Sequence, residues 1–320
     1  MANYDFDYLI EKMESQDFEL NPFKHIYIED FFSNEHFDEI ISSAEISAPV
    51  AKDDKQLIDG LLEKGFKPIQ FPGCVTNVSK YINWHQNNGK VSHHTTCEGS
   101  GMAFRLFQFP SKILQELNEF LVSEKFNSAI AKKFGVTFQD CVIDGGIQKY
   151  LDGYEISPHP DTRKKAATFM VNINQSASSE EANYHTHYLK LKRSYAYVKE
   201  FWRGNENIDR AWVPWHWADT VKQQTKNNSI VLFSPANDTL HGVKASYNHL
   251  DTQRTQLYGN LWYKESNVEK VLEWNELDLL ERTSIRKVTT KQKVTKLLPS
   301  GVKRLLKSLL NKVEVGKRNR

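Results

Sequence analysis

Apolar and polar positions alternate with period two along many short stretches of this chain and follow a helical period along a few. KHIYIEDFFS reads as a short strand that runs into a helix beginning near Asn34, with Ser33 as its N-cap. GMAFRLFQFP reads as another strand. SKILQELNEFLVSEKFNSAIAKKFG reads as one helix, with Ile113, Leu114, Leu117, Phe120 and Leu121 on one face and Gly135 as its stop. A strand series then starts in DCVIDGGIQKYL and runs through Tyr150, 167–173, 188–191, 229–233 and 256–263. Residues 51–100 are polar and irregular, with FPGC and QNNGK as turn signals, and predict loops and short strands near the mouth of a site. Strands that follow helices without regular βαβ alternation predict a mainly β fold with supporting helices, an antiparallel sheet or barrel.

Composition sharpens this picture. The chain has 320 residues, enough for one large or two ordinary domains with a sizeable core. Its seven Trp, 13 Tyr and 18 Phe suit sheet packing and an aromatic-lined cavity. Three cysteines (Cys74, Cys97 and Cys141) without CxxC spacing predict reduced thiols in a cytoplasmic protein, not a disulfide framework or a zinc site. The acidic start MANYDFDYLIEKMESQDFEL has no apolar signal region, and no run approaches the roughly 18 apolar residues of a membrane span.

Charge divides the chain. Residues 284–320 hold 12 Lys/Arg against Glu314 alone, a local +11, so a total of +2 leaves −9 on residues 1–283. An acidic body argues against nucleic acid as a partner. Within the tail, Val302, Leu305, Leu306, Leu309, Leu310 and Val313 form an apolar stripe flanked by Lys303, Arg304, Lys307 and Lys312. Such a basic amphipathic helix over 299–313 suits two roles, peripheral contact with a membrane surface or docking on its own domain or a second subunit.

The candidate chemistry lies in QKYLDGYEISPHPDTRKKAATFMVNIN. His159 and Asp161 stand two residues apart at the end of an alternating run, a spacing that directs both side chains to one face of a strand. His241, in SIVLFSPANDTLHGV, would complete a two-His-one-carboxylate facial triad of the kind that binds Fe(II). A second His-x-Asp, His36-Phe37-Asp38, falls in the capped helix, where residues i and i+2 diverge. His185 and His187 form a rival pair on one strand face without a nearby acid, and the adjacent His93 and His94 point to opposite faces. An insertion over 193–227 carries Trp202, Trp212, Trp215 and Trp217. These indoles either wall a substrate site or, the favoured reading, pin the insertion to the body.

Three motifs in order, YLDGYEISPHPDTRKKAATFMVNIN, SIVLFSPANDTLHGV and RTQLYGNLWY, resemble the core of the iron(II)/2-oxoglutarate-dependent dioxygenases, on the prolyl-4-hydroxylase-like side. The resemblance spans about residues 140–265 within a single domain over 1–283. It implies a double-stranded β-helix, a distorted jelly roll. It further implies Fe(II) on His159, Asp161 and His241, with 2-oxoglutarate and O2 as cosubstrates and ascorbate as a reductant. Arg254 would pair with the distal carboxylate of 2-oxoglutarate, Tyr150 would give it a hydroxyl, and Asn172 would make a further polar contact. An acid at position 161 implies hydroxylation, with succinate and CO2 as co-products, and not halogenation. The substrate stays open. The alternative is a metal-binding jelly roll acting as sensor or scaffold without turnover; it would keep the triad and dispense with the arginine.

Overall fold

Two antiparallel sheets face each other and helices cover one of them. The computed structural model describes residues 4–47, 50–70, 73–87, 101–205, 208 and 212–265. The chain divides into units 1–271 and 272–320, and the second, with the basic tail, lies outside the described residues. The strands are β1 (Ile26–Ile28), β2 (Phe66–Pro68), β3 (Ala103–Leu106), β4 (Cys141–Tyr150), β5 (Glu155–His159), β6 (Lys165–Asn172), β7 (Thr186–Leu191), β8 (Ala218–Gln223), β9 (Ile230–Phe233), β10 (His241–Lys244) and β11 (Arg254–Tyr263). The helices are α1 (Tyr8–Ser15), α2 (Asn34–Ser42), α3 (Asp54–Glu63), α4 (Val78–Gln86), α5 (Lys112–Leu121), α6 (Glu124–Phe134) and α7 (Tyr197–Gly204).

The larger sheet runs β1-β9-β6-β11-β4-β3-β2 and the smaller β5-β10-β7-β8. From β4 to β11 the chain passes between the two sheets, pausing only at the consecutive β7 and β8. That is the winding of a jelly roll, the double-stranded β-helix expected from the motifs. β4 and β11 pair over ten residues, from Arg254 opposite Tyr150 to Tyr263 opposite Cys141. Alternation along β11 sends Leu257 and Leu261 outward, into a core shared with Ile113, Leu117 and Ile130 of the helices. Arg254, Gln256 and Tyr258 point inward to a cavity between the sheets. Truncating a leucine as buried as Leu257 would cost about 2–5 kcal/mol.

The local sequence explains most helix ends. Ser33 accepts from the His36 amide at 3.2 Å and starts α2, so His36-Phe37-Asp38 is helical. The run 112–134 forms two helices and not one. Ser123 accepts from the Phe126 amide at 3.2 Å, and this internal cap restarts the chain as α6 after Val122. Gly135 ends α6 at φ +71°, the left-handed conformation a side chain resists.

Residues 51–87 depart from the predicted loops. Asp53 and Asn77 cap α3 and α4, accepting from the Gln56 and Lys80 amides at 2.8 Å each. Leu57, Ile58 and Leu61 are the buried face of α3. Residues 88–100, with His93, His94 and Cys97, lie outside the described residues. Among the described residues neither Cys74 nor Cys141 forms a disulfide, and no helix is long and apolar enough to cross a membrane.

Candidate metal centre

Strand pairing brings the two histidines together. β10 lies antiparallel to β5 with His241 directly opposite His159, and their ring centroids are 4.3 Å apart. Asp161 arrives differently from the sequence expectation. β5 ends at His159, and after Pro160 the chain turns through Asp161 at φ +70°. This left-handed backbone, which Asp tolerates better than most side chains, costs on the order of 1 kcal/mol. The turn, not a continued strand, swings the carboxylate back toward the imidazoles.

His159 Nε2 lies 3.8 Å from Asp161 Oδ1, and His241 Nε2 lies 4.0 Å from Asp161 Oδ2. One donor atom from each of the three residues falls within 4.8 Å of the others. Two ligands bonded at about 2.1 Å to one ion sit roughly 3–4 Å apart, so this spacing suits a shared metal.

Backbone carbonyls fix the tautomers. His159 Nδ1 meets Ser157 O at 2.9 Å and His241 Nδ1 meets Thr239 O at 3.0 Å. A carbonyl only accepts, so both Nδ1 atoms carry the proton and both Nε2 atoms hold a free lone pair. Burial, and then His241 beside it, pushes His159 down to about 3, and burial also lowers His241. Both rings are neutral near pH 7, as metal ligation requires. Burial alone would raise Asp161, but Lys165 foremost, then the two histidines, hold its carboxyl down to about 2. Two neutral imidazoles and one carboxylate are a donor set that Fe(II) accepts. The residues fit the metal.

Lys165, at the start of β6, is the neighbour that sequence reading missed. Its Nζ donates to both carboxylate oxygens of Asp161, at 2.9 and 3.0 Å. Nothing in the alternation marks this lysine, because the turn that carries Asp161 back is not a strand feature.

The triad lines a cavity of about 460 Å³ that extends along β11 to Arg254. Arg254 is buried, with its guanidinium 4.6 Å from the Tyr150 ring centroid and Nη2 donating to Thr186 Oγ1 at 2.9 Å. Among the described residues no carboxylate lies within ion-pairing range of it. Tyr150 also lines the cavity. When the Gln148 amide is oriented so that its oxygen accepts from Arg105 Nη2 at 2.9 Å, its nitrogen donates to the Tyr150 hydroxyl at 2.5 Å. The phenol proton is then free to point into the cavity.

Asn172 is not brought to the cavity. It shares an inward face with Thr168 and Met170, which do line the cavity, but it lies beyond the cavity's end. Its amide donates to Gln224 O at 2.9 Å and Lys226 O at 3.1 Å and accepts from Gln256 Nε2 at 2.8 Å. The structure thus engages the Asn172 amide with two carbonyls and Gln256 and leaves it out of the cavity lining.

His185 and His187 point away from the cavity on either side of Thr186 and bond with Glu180 O at 3.1 Å and Thr220 Oγ1 at 2.9 Å. In the insertion, Trp202, Trp215 and Trp217 pack around Leu189, Val198 and Val213, whereas Trp212 lines the cavity. The end of the insertion is no appendage, since β8 is the edge strand of the smaller sheet.

A second His/carboxylate cluster, Asp54, His85 and His249, brackets the turn after β4. His249 Nδ1 accepts the Asp152 amide at 3.1 Å, so its Nε2 carries the proton shared with Asp54 at 2.9 Å. His85 bridges Asp54 at 2.9 Å and Asp152 at 3.4 Å. With every ring nitrogen engaged, this cluster is a polar lock joining α3, α4 and two loops, not an open ligand set.

No protein-family model matches the sequence, and no curated protein does. Similar solved structures include a Pseudomonas putida prolyl-4-hydroxylase (TM-score 0.41, 8% identity, 81% of this chain and 99% of that one). They also include a Trichoplax adhaerens prolyl hydroxylase in complex with a hypoxia inducible factor peptide fragment (TM-score 0.39, 11% identity, 81% and 89%). A third is the epimerase SnoN with Fe3+, alpha ketoglutarate and nogalamycin RO (TM-score 0.37, 9% identity, 81% and 83%). Likenesses this distant assign no residue a role, and the reading of the site rests on its own geometry.

Proposed function

We propose that this chain is an Fe(II)- and 2-oxoglutarate-dependent dioxygenase that hydroxylates a C–H bond of its substrate. The observation that carries the reading is the coexistence in one cavity of the triad and a buried arginine that has no carboxylate partner among the described residues. His159, Asp161 and His241 would hold the metal. Bound there, iron with 2-oxoglutarate and O2 supplies the oxidative chemistry, with succinate and CO2 as co-products. The protein's share is positioning and the exclusion of water.

Arg254 is suited to the distal carboxylate because its planar fork offers two parallel donors. The Tyr150 ring and Thr186 fix that fork before any ligand arrives, which lowers the ordering cost of binding. The phenol proton of Tyr150 can donate to the same carboxylate. Trp212, Ile156 and Val243 line the cavity with apolar surface and keep water from the reacting centre.

The test is succinate formation by purified protein given Fe(II), ascorbate and 2-oxoglutarate. We expect slow turnover without substrate, abolished by His159→Ala, Asp161→Ala or His241→Ala. Full turnover in His159→Ala would sink the assignment. Metal and 2-oxoglutarate binding without any succinate would favour the sensor or scaffold reading.

A further inference from the structure

The charged side chains lining the cavity are Arg105, Asp144, Asp161, Lys165 and Arg254, three cations against two anions. Arg105 and Asp144 satisfy each other at 2.8 Å. Asp161 is the counter-ion of Lys165, and both side chains of that pair are only 9% exposed. If the site works as proposed above, on which this inference rests, a dication engages Asp161 and a 2-oxoglutarate dianion engages Arg254. The metal and the cosubstrate cancel in charge, and Lys165 must then share with a dication the carboxylate whose two oxygens it holds alone in the ligand-free protein, keeping one of them and its hydrogen bond to Tyr258. A buried ammonium whose counter-ion is shared with a dication is under-compensated, so the next guest of the cavity has a reason to bring one negative charge.

We infer that Lys165 is the receptor for an anionic group on the substrate, a carboxylate or phosphate, and that Asp161 holds it in reserve until the metal binds. Its surroundings suit the role. Nζ lies 5.6 Å from the ring centroid of Tyr258 and 5.4 Å from that of Trp262, two rings that steady a cation while leaving it accessible to an anion. Lys165 opposes Trp262 across the β6–β11 pair, toward the opposite end of β11 from Arg254. The substrate anion and the cosubstrate therefore have separate receptors, the first of them beside the triad residue Asp161. Metal binding promotes binding of the substrate anion, because the metal draws Asp161 away from the lysine that the anion needs.

The experiment is a calorimetric titration with Mn2+, a redox-inert stand-in for Fe(II), on full-length wild type, Lys165→Met, Lys165→Gln and Asp161→Ala. Removing Lys165 removes a competitor for Asp161, so both lysine variants are expected to bind Mn2+ at least about tenfold more tightly. Asp161→Ala is expected to lose the metal. Mn2+- and 2-oxoglutarate-saturated wild type is expected to bind inorganic phosphate or acetate, which saturated Lys165→Met does not. Unchanged or weaker Mn2+ affinity in both lysine variants would overturn the inference, because Lys165 would then serve to hold Asp161 in place. So would the absence of anion uptake in saturated wild type, or uptake that survives Lys165→Met. Failure of wild type to bind Mn2+ at all strikes the proposed function itself, whereas metal binding without a Lys165 effect strikes only this inference.

Discussion

Replacing Arg254 with methionine keeps most of the stem and removes the fork. The side chain is 2% exposed, stacked on Tyr150, and makes one side-chain hydrogen bond, to Thr186. Hydrogen bonds to charged groups contribute about 1.5–3 kcal/mol each, so losing two to a carboxylate should cost about 3–6 kcal/mol. That corresponds to a loss in 2-oxoglutarate affinity of about 10²- to 10⁴-fold. Arg254→Lys keeps the charge without the planar fork and should fall between. Mn2+ affinity should stay within a few-fold of wild type, since Arg254 bonds to none of the three ligands. Stability of the ligand-free protein should be unchanged or raised, because a buried cation without a carboxylate partner is removed. Calorimetric titration of each ligand, with thermal melts alongside, tests all three statements. Unchanged 2-oxoglutarate affinity would refute the reasoning. Two other lysines could then be considered, but Lys244 pairs outward with Glu155 at 3.7 Å and Lys264 bonds to Gln139 O at 2.6 Å, and neither lines the cavity.

Asn172→Ala should destabilise the fold by about 1–3 kcal/mol, since it strips partners from the buried Gln256 amide and two carbonyls, while 2-oxoglutarate affinity stays near wild type; a large affinity loss at unchanged stability would return Asn172 to the site. The hydrogen bond to Asp152, opposed by burial and reinforced by Asp54, raises the pKa of His85. A raised pKa means stabilisation that is full below about 6.5 and is lost as pH rises through the folded value, so His85→Ala should lower Tm more at pH 6 than at pH 9. Equal losses at both pH values would remove the charge from that account. The basic amphipathic pattern of 299–313 leads us to expect full-length protein to pellet with anionic vesicles at low salt and a chain ending at Lys296 to stay in solution; identical behaviour would assign the stripe to docking.

Strands and the approach of His159 to His241 were legible where the physics is local. β4, β6, β7, β9 and β11 fall on the runs predicted from alternation, with β6 ending one residue before and β9 starting one residue after the predicted bound. His159 and His241 meet because two strand ends pair, and both ends carried turn signals. Asp161 was found for an incomplete reason, since its aim depends on a left-handed turn that the spacing does not encode. Helices α3 and α4 were missed because short amphipathic segments with small apolar faces resemble polar loop. The break between α5 and α6 was hidden by a continuous helical period, although Ser123 carried the cap signal. Lys165 and the Asp54–His85–His249 lock depend on contacts that alternation does not report, the last between residues as distant as Asp54 and His249.

The most direct test of the central claim is an anaerobic crystal structure of the protein soaked with Fe(II) and 2-oxoglutarate. The account predicts one metal peak within about 2.0–2.2 Å of His159 Nε2, His241 Nε2 and an Asp161 oxygen, with a cosubstrate carboxylate on the Arg254 guanidinium. Iron at Asp54, His85 and His249, or a cosubstrate bound away from Arg254, would contradict it.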